Sequence, residues 1–390
     1  MKRFAGLLME YAALLLVLVG VSLACAVCAG KAEILSEVTS VVPKMHAELL
    51  AHPELRWNEV CPFAWWAFAA VGLVGCAMIA PFVGRVFRRL RTSTPLTPHP
   101  SPLNPHSFPL WAWLGVLVMI AGWVVAWNRF PIFAAVQRHT YLPLWFGFIV
   151  AVNGLVYKRS GRSPLTHDTK HYLALFPLST AFWWFFEYLN RYVWNWFYVG
   201  AGEMTPLEYF VFASVSFSTV LPGVTAVAEF LATFRLFGDR SFAGMMRVNF
   251  RAPAVVALLT LVTLFGLVGI VFLPEFVYPF LWVSPIMAVI LVKVAFRRPC
   301  ALDDLVSGDW TRVVRYAVAA LLCGFVWELW NFHSLAKWIY AVPYVHRFQY
   351  FEMPLLGLFG YIPFGVECLL CGGTTDETIT VGHLQIAFAV

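Results

Sequence analysis

The sequence is dominated by apolar stretches that are long enough to cross a lipid bilayer. Of its 390 residues, 61% are hydrophobic and 12% are charged, whereas a soluble domain carries about 25% charged residues. A helix needs about 20 apolar residues to span the hydrocarbon core. Ten candidate spans follow one another at residues 4–29, 63–84, 108–127, 141–157, 173–199, 207–234, 252–273, 277–296, 314–335 and 353–372. Because lipid leaves backbone polar groups without partners, such spans fold as helices. The chain is therefore predicted to be an all-α polytopic membrane protein.

The basic residues are distributed unevenly among the segments that connect these spans. If the N-terminus is cytoplasmic, 19 of the 27 Lys and Arg residues lie on the cytoplasmic side and seven lie outside. This asymmetry follows the positive-inside rule. We therefore expect a protein integral to a plasma membrane of the bacterial inner type, with both termini cytoplasmic. The net charge of +6 then reflects topology, and a nucleic-acid partner is not expected.

The segments outside the central spans divide into three parts. Residues 1–91 are predicted to form an N-terminal transmembrane hairpin, and its outer loop, 31–62, has apolar residues at helical spacing and is predicted to lie on the membrane surface as an amphipathic helix. Residues 92–107 are rich in proline and uncharged, which is typical of an extended cytoplasmic linker. Residues 373–390 are predicted to be a cytoplasmic tail.

The remainder of the chain repeats itself. The matching positions are Tyr141, Leu144 and Trp145 with Tyr278, Leu281 and Trp282, then Glu187 and Asn190 with Glu328 and Asn331, and then Trp196 and Tyr198 with Trp338 and Tyr340. Their offsets drift from 137 to 142 residues, as expected of an old duplication with small insertions. We predict two four-helix repeats, 108–234 and 252–372, which enter the membrane in the same direction, as in transporters with parallel repeats.

Polar residues interrupt the apolar pattern inside two of the predicted spans. The stretch FWWFFEYLNRYVWNWFY, residues 182–198, contains Glu187, Asn190, Arg191 and Asn195. The first three are spaced so that they share one helix face. Charged side chains within a membrane usually face the bundle interior or a water-filled cavity, and they are functional by default. The sequence therefore predicts an interior site.

The residues of this predicted site fall into three groups. The acid and base candidates are Glu187, Glu328 and Glu367; the residues expected to orient them or bind substrate are Asn190, Arg191, Asn331 and His333; and the tryptophans expected to wall a cavity are Trp184, Trp194, Trp327 and Trp330. A structural alternative stays open, in which Glu and Asn side chains join the two halves by hydrogen bonds. The tryptophans could equally belong to interfacial belts.

Common catalytic signatures are absent from the sequence. It contains no HExxH, GxSxG or P-loop motif, and only His333 of the ten histidines lies near the polar core, so neither a metal site nor a particular cofactor is predicted. The eight cysteines suit helix packing, although a bridge from Cys61 to Cys25 or Cys28 stays open on the oxidising side.

A repeated motif resembles a known membrane enzyme family. Each half has an acid, then a Trp and Tyr pair nine to twelve residues later, then a proline beside a glutamate: Glu187, Trp196, Tyr198 and TPLEYFVF (205–212), and again Glu328, Trp338, Tyr340 and FEMPLLGLFG (351–360). This pattern is similar to the membrane lycopene cyclases built from two tandem helical domains. The resemblance implies acid-initiated cyclisation of an isoprenoid, with Glu208 in the position of a family acid. Glu208 stands alone where the family has an acidic pair, and Pro354 has no acid after it.

These observations favour a membrane-embedded enzyme that acts on a lipid or isoprenoid by carboxyl acid and base chemistry in an aromatic-lined cavity. The expected partner is a membrane lipid or a hydrophobic small molecule, and the sequence leaves a homo-oligomer or a membrane complex open. A secondary transporter coupled to protons or cations is the alternative from another class. A third alternative is a non-catalytic subunit of a membrane complex. The enzyme predicts a pocket open sideways to lipid, the transporter a gated water path, and the subunit a packed interior.

Overall fold

The structure, a computed structural model, describes residues 9–10, 12–30, 63–92, 106–200 and 204–372. The chain is mostly helical, with little sheet. Its main helices are α1 (Ala12–Cys28), α2 (Trp65–Thr92), α3 (Leu110–Trp127), α4 (Tyr141–Ser160), α5 (Thr169–Val193), α6 (Pro206–Phe217), α7 (Val220–Ala232), α8 (Pro253–Phe272), α9 (Ser284–Ala295), α10 (Thr311–His333) and α11 (Tyr361–Gly372). Four short strands accompany them: β1 (Trp196–Val199), β2 (Lys337–Tyr340), β3 (Gln349–Tyr350) and β4 (Met353–Pro354).

Within the described residues, seven helices are long and apolar enough to cross a membrane. They are Trp65–Arg89, Leu110–Trp127, Gln137–Ser160, Pro206–Ala232, Pro253–Phe272, Thr311–His333 and Leu355–Gly372. The segment from Pro274 to Ala295 would be an eighth, but it is bent by 51°. The architecture therefore supports an all-α membrane protein, whereas the predicted count of ten spans is not supported.

Two of the ten predicted spans account for most of the difference. In the described part of the first, the helix Ala12–Cys28 is shorter than a full crossing. The helix α5 overlaps the predicted span 173–199 and is long enough to cross, but its Trp, Tyr and polar side chains make it less apolar than a typical crossing. In addition, α5 ends at Val193, because Trp194 adopts a left-handed conformation with φ of 53°. Asn195 and the strand after it lie beyond the helix, so the expectation that 173–199 is one continuous helix is wrong.

The helix α7 forms the centre of the bundle. Nearly all of its side chains from Val220 to Leu231 are buried, and it packs against α4, α5, α10 and α11.

The helices α3 and α4 pack closely because α4 carries glycines where the two backbones meet. A Cβ on Gly154 would lie 2.1 Å from the Cβ of Ala112, and one on Gly147 would lie 2.6 Å from the backbone nitrogen of Met119. Small residues of this kind let membrane helices approach each other.

A short antiparallel sheet joins the two halves of the chain at one end of the bundle. In β1 and β2, Trp196 pairs with Tyr340, and Tyr198 pairs with Trp338. Gly200 ends β1 with a φ of +71°, and a side chain there would collide with the carbonyl oxygen of Leu335. We call this the sheet end of the bundle. The opposite end carries arginines that bond to loop carbonyls, among them Arg85 to Ala243 and Arg315 to Phe237, and we call it the basic end.

The helices α1 and α2 lie at the periphery of the bundle. The hydroxyl of Ser22 on α1 lies 3.0 Å from that of Tyr188 on α5. Before α1, the buried carboxylate of Glu10 accepts from Lys293 at 2.8 Å and from Arg298 at 3.2 Å. The helix α2 contacts the 3-10 segment Leu355–Gly360. Cys25 and Cys28 are free thiols, and Cys61 lies outside the described residues.

Several predicted segments also fall outside the described residues. They are the amphipathic helix of the loop 31–62, most of the linker 92–107 and the tail 373–390. The domain boundaries predicted for these segments stay predictions.

The first testable prediction concerns the anchor at Glu10. We expect Glu10→Gln to lower the free energy of unfolding by about 2 kcal/mol, because the change weakens two charge-assisted hydrogen bonds of a buried carboxylate. The measurement is reversible unfolding in mixed detergent. Asp239→Asn is the matched control, since the side chain of Asp239 is fully exposed and lies 3.9 Å from Arg315. Equal stability of the two variants would contradict the anchoring role.

The loop that follows β2 lies at the sheet end of the bundle and contains a buried histidine. His346 is 1% exposed, and its Nδ1 accepts a hydrogen bond of 3.4 Å from the backbone nitrogen of Val342. Burial, assisted by the charge of Arg347, lowers the pKa of His346 from its usual 6.5 to about 4. The folded loop therefore requires a neutral imidazole.

The second prediction follows from that lowered pKa. Between pH 6.5 and 4 the unfolded chain binds a proton at His346 that the folded chain does not, so stability falls as the pH falls through this window. We expect His346→Gln to reduce this pH dependence. The measurement is the unfolding midpoint at several pH values, with the exposed His167→Gln as control. A wild-type pH dependence in His346→Gln would contradict the prediction.

Candidate functional site

Glu187 lies on α5 and accepts hydrogen bonds from three aromatic side chains. Its Oε1 accepts from Trp183 Nε1 at 2.9 Å, from Trp196 Nε1 at 3.0 Å and from the Tyr198 hydroxyl at 2.6 Å. Trp183 is one helical turn before Glu187, while Trp196 and Tyr198 belong to β1. Because alternate residues of a strand point to the same face, the W-x-Y spacing delivers both polar edges to one carboxylate.

Glu328 lies on α10 in a corresponding environment. Its Oε1 accepts from Trp338 Nε1 at 3.3 Å, from the Tyr340 hydroxyl at 2.6 Å and from the Tyr361 hydroxyl at 3.1 Å. Trp338 and Tyr340 belong to β2, with the same W-x-Y spacing. The residue is 0% exposed, and its Oε2 has no hydrogen-bond partner among the described residues. This second oxygen can therefore carry a proton without breaking any of these contacts.

Two asparagines hold the strands against the helix ends. The Nδ2 of Asn190 donates to the Trp196 carbonyl at 2.8 Å, and the Nδ2 of Asn331 donates to the Trp338 carbonyl at 2.7 Å. The Oδ1 of Asn331 also accepts from the Trp338 backbone nitrogen at 2.8 Å. Buried backbone groups need such partners. The asparagines are therefore positioning residues for the strands.

A cavity of about 360 Å³ lies beside the sheet, between the two halves of the chain. Its aromatic wall consists of Trp183, Trp196, Trp282, Trp327 and Trp338, of Tyr141, Tyr198, Tyr209, Tyr278, Tyr340 and Tyr361, and of Phe212, Phe217, Phe359 and Phe364. The helix α2 contributes Val71 and Met78 to the same wall. Met78 is 60% exposed, so the cavity reaches the apolar flank of the bundle beside α2.

The two carboxylates lie behind this wall. Neither Glu187 nor Glu328 lines the cavity, although all of their Trp and Tyr donors do. Each aromatic side chain therefore turns its polar edge to a carboxylate and presents the rest of its ring system to the cavity. The two acids are connected through the paired strands, and neither accepts a hydrogen bond from the donors of the other.

The predicted tryptophans occupy different places. Trp327 lines the cavity, and its Nε1 donates to the Tyr141 hydroxyl at 3.2 Å. Trp184 donates to Ser214 Oγ at 2.9 Å and is outside the cavity wall. Trp194 stacks on Phe197 with ring centroids 5.9 Å apart, and Trp330 is buried beside Trp145. Of these four, only Trp327 can contact a cavity ligand.

Four other predicted site residues do not line the cavity. Glu208 is exposed and forms a capping box with Thr205 at the start of α6. Glu367 is 2% exposed, and neither of its carboxyl oxygens has a partner among the described residues. His333 is exposed and packs beside Trp127. Arg191 is half-buried and contributes its charge near Glu187 without an ion pair to any residue that the structure describes.

Sequence reasoning missed most of the cavity wall. One part of the wall has a signal in the sequence, because a Trp and Tyr pair is repeated at an offset of 142 residues. The repeated residues are Trp196 and Tyr198, then Trp338 and Tyr340. Asn195 also lines the cavity and is 5% exposed, but no sequence pattern distinguishes it from the rest of the predicted span.

Among the described residues, no group of three His, Cys, Asp or Glu is arranged to hold a metal ion.

Comparison with known proteins adds no relative to this geometry. No protein-family model, no curated protein and no solved structure matches the chain. The similarity to lycopene cyclases therefore rests on the repeated residues alone and stays a prediction.

Proposed function

We propose that the protein is a membrane-embedded enzyme that converts a lipid or isoprenoid in the aromatic cavity by the acid and base chemistry of Glu187 and Glu328. One observation carries the proposal: the cavity wall contains Trp and Tyr side chains whose polar edges donate hydrogen bonds to the half-buried carboxylate of Glu187 and the fully buried carboxylate of Glu328. A packed interior, as expected of a purely structural subunit, would not contain such a space.

The cavity favours a hydrophobic ligand that enters from lipid. Its lining is largely aromatic and aliphatic, and it reaches the surface beside Met78, near the middle of α2. Pockets lined in this way bind apolar molecules and use a few polar groups for orientation. A lateral opening is also what an enzyme acting on a membrane substrate requires.

The wall is suited to a positively charged intermediate. Trp and Tyr rings attract cations over their faces, by about 2 kcal/mol or more where water is excluded. The carboxylates behind the rings add negative charge at short range. A protonated double bond of an isoprenoid would therefore be stabilised between the two strands.

The same geometry supports a proton path. The hydroxyls of Tyr340 and Tyr361 donate to Oε1 of Glu328, and both tyrosines line the cavity. When the carboxyl of Glu328 carries its proton on Oε1, the oxygen that both tyrosines contact, a tyrosine hydroxyl gives its own proton to an alkene carbon and takes the carboxyl proton in its place. Loss of a different proton from the resulting cation returns one proton to the carboxylate. The cycle changes bond positions in the substrate and needs no oxidant or reductant.

We also propose that the chain contains two parallel repeats and that the basic end is cytoplasmic. The corresponding contacts of Glu187 and Glu328, and the paired register of β1 and β2, support a duplication about an axis along the membrane normal. The arginines at the basic end support the orientation.

A transporter is the second candidate, and interrupted spans favour it. The span Pro206–Ala232 changes helix between Phe217 and Val220, and the segment from Pro274 to Ala295 is bent by 51°. Broken helices of this kind form binding sites in secondary transporters. A transporter would release its ligand chemically unchanged.

The third prediction tests the proposed chemistry. Purified protein in D₂O is incubated with the isoprenoids that copurify with it and with a panel of linear isoprenoids, and deuterium in the recovered lipids is measured by mass spectrometry. We expect incorporation, and we expect Glu328→Gln to slow it by about 100-fold or more, because a positioned general acid contributes that much. Glu275→Gln, an exposed carboxyl change at the same end, is the control.

The alternatives give different results in the same experiment. The transporter would be favoured by two results together. The protein would retain an isoprenoid that carries no deuterium, and uptake of that isoprenoid into proteoliposomes would depend on Glu187 or Glu328. Undiminished incorporation in both Glu187→Gln and Glu328→Gln would remove these acids from the mechanism.

A further inference from the structure

Three polar residues of the cavity lie at the sheet end. Asn195 lies directly before β1, while Lys337 is the first residue of β2. Arg138, from the 3-10 turn Gln137–His139, is part of the same wall. All three are cavity-lining residues. The cavity therefore has a polar end in an otherwise aromatic and aliphatic wall.

Asn195 is held in place by its backbone, and the oxygen of its side chain has no hydrogen-bond partner among the described residues. Its backbone nitrogen donates to Asn190 Oδ1 at 2.8 Å, and its carbonyl accepts from the Ala341 nitrogen at 2.9 Å. The side-chain Oδ1 is buried and has no hydrogen-bond partner among the described residues. A buried polar atom without a partner costs about 1–3 kcal/mol. Because Oδ1 is an acceptor, a ligand group that donates a proton to it, such as a hydroxyl, would remove that cost.

The charge at this end is positive. Lys337 is paired with Glu352, so this pair contributes no net charge. Arg138 forms no hydrogen bond or ion pair with any residue that the structure describes, and its side chain is exposed. Guanidinium groups bind phosphate and carboxylate oxygens in a bidentate manner. The polar end therefore has one cation available for an anionic group.

The cavity continues away from this end along α2. Val71 packs beside the buried Leu356 near the sheet end, and Met78 lies seven residues further along the helix, which is about 10 Å. Both residues are apolar. The polar end and the apolar path therefore match a molecule with a head and a chain.

We infer that the ligand is an amphiphile with a phosphate head bound by Arg138 and Asn195 and an isoprenoid or alkyl chain directed along α2. The inference rests on the cavity used for the proposed function and adds its substrate class. The amide of Asn195 has both donors and an acceptor, so it can bond a phosphate oxygen or its hydroxyl.

The fourth prediction compares two probes that differ only in the head. Binding of radiolabelled farnesyl phosphate and farnesol is measured in phosphatidylcholine nanodiscs, with empty discs subtracted. We expect the wild-type protein to bind farnesyl phosphate about tenfold more tightly, and Arg138→Gln to abolish this preference, since a charged hydrogen bond contributes about that factor. Asn195→Ala should weaken farnesyl phosphate binding about threefold or more. Farnesol binding should not change in Arg138→Gln.

Matched variants separate the head site from the cavity itself. Arg129→Gln is the control for charge, because Arg129 bonds to the carbonyls of Ala126 and His333 outside the cavity. Ala213→Phe fills the cavity from α6, and Val211→Phe adds the same ring on the exposed side of that helix. If Ala213→Phe fails to fold, Gly360→Leu fills the cavity from the opposite wall, where a Cβ would meet no atom closer than 3.5 Å.

The outcomes distinguish the two proposals. One outcome is that both probes bind equally well, and that this binding is lost in Ala213→Phe but kept in Val211→Phe. It would overturn the inference of a phosphate head and would leave the proposed function standing. Binding that the cavity-filling variants do not reduce would overturn both. Phosphate preference that survives Arg138→Gln and Asn195→Ala would also overturn the assigned head site.

Discussion

The structure depends on how two carboxylates are accommodated inside an apolar helix bundle. A buried carboxylate without partners is very costly, and it is tolerated only where hydrogen bonds replace its hydration. Here the partners are not cations. Glu187 and Glu328 each receive three donors from indole and phenol groups. Such donors satisfy the acid at one edge while the remainder of each ring stays apolar, so the same side chains fit both the carboxylate and a lipid-like ligand.

This solution explains why strands occur in a helical membrane protein. A helix presents residues three and four apart on one face, whereas a strand presents residues two apart. Trp196 with Tyr198, and Trp338 with Tyr340, reach their acids because each pair lies on a strand. The strands in turn need each other, since β1 and β2 satisfy their backbone groups by pairing. The sheet therefore joins the two halves and fixes the aromatic wall between them.

The sequence predicted the components of this arrangement better than their placement. The offsets that relate Glu187 to Glu328 and Trp196 to Trp338 identified the paired acids and aromatics. A run such as WFYV is equally apolar as helix or strand, so nothing in its composition marked the end of α5. Helical spacing also gives the face of a residue but not its depth, and Glu187 was therefore expected in the cavity wall instead of behind it. Trp282 enters the wall from a distant segment, which single-sequence patterns do not reveal.

In the proposed function, a ligand contacts the aromatic wall and not the carboxylates. The position of the wall nevertheless depends on those carboxylates, because Trp196, Trp338 and both strand tyrosines are oriented by hydrogen bonds to them. A ligand of matching shape should then be held between the strands and α2, with the asparagines Asn190 and Asn331 keeping the strands in register. These features belong together, since removal of the acids would release the rings that enclose the space.

The most direct measurement is a cryo-electron microscopy map of the protein in lipid nanodiscs, at a resolution that shows side chains. The account predicts that the indoles of Trp196 and Trp338 lie within hydrogen-bond distance of Glu187 and Glu328, around an elongated density that extends along α2. A map in which the indoles point away from the acids, and in which packed side chains fill the space between the two halves, would contradict the proposed cavity.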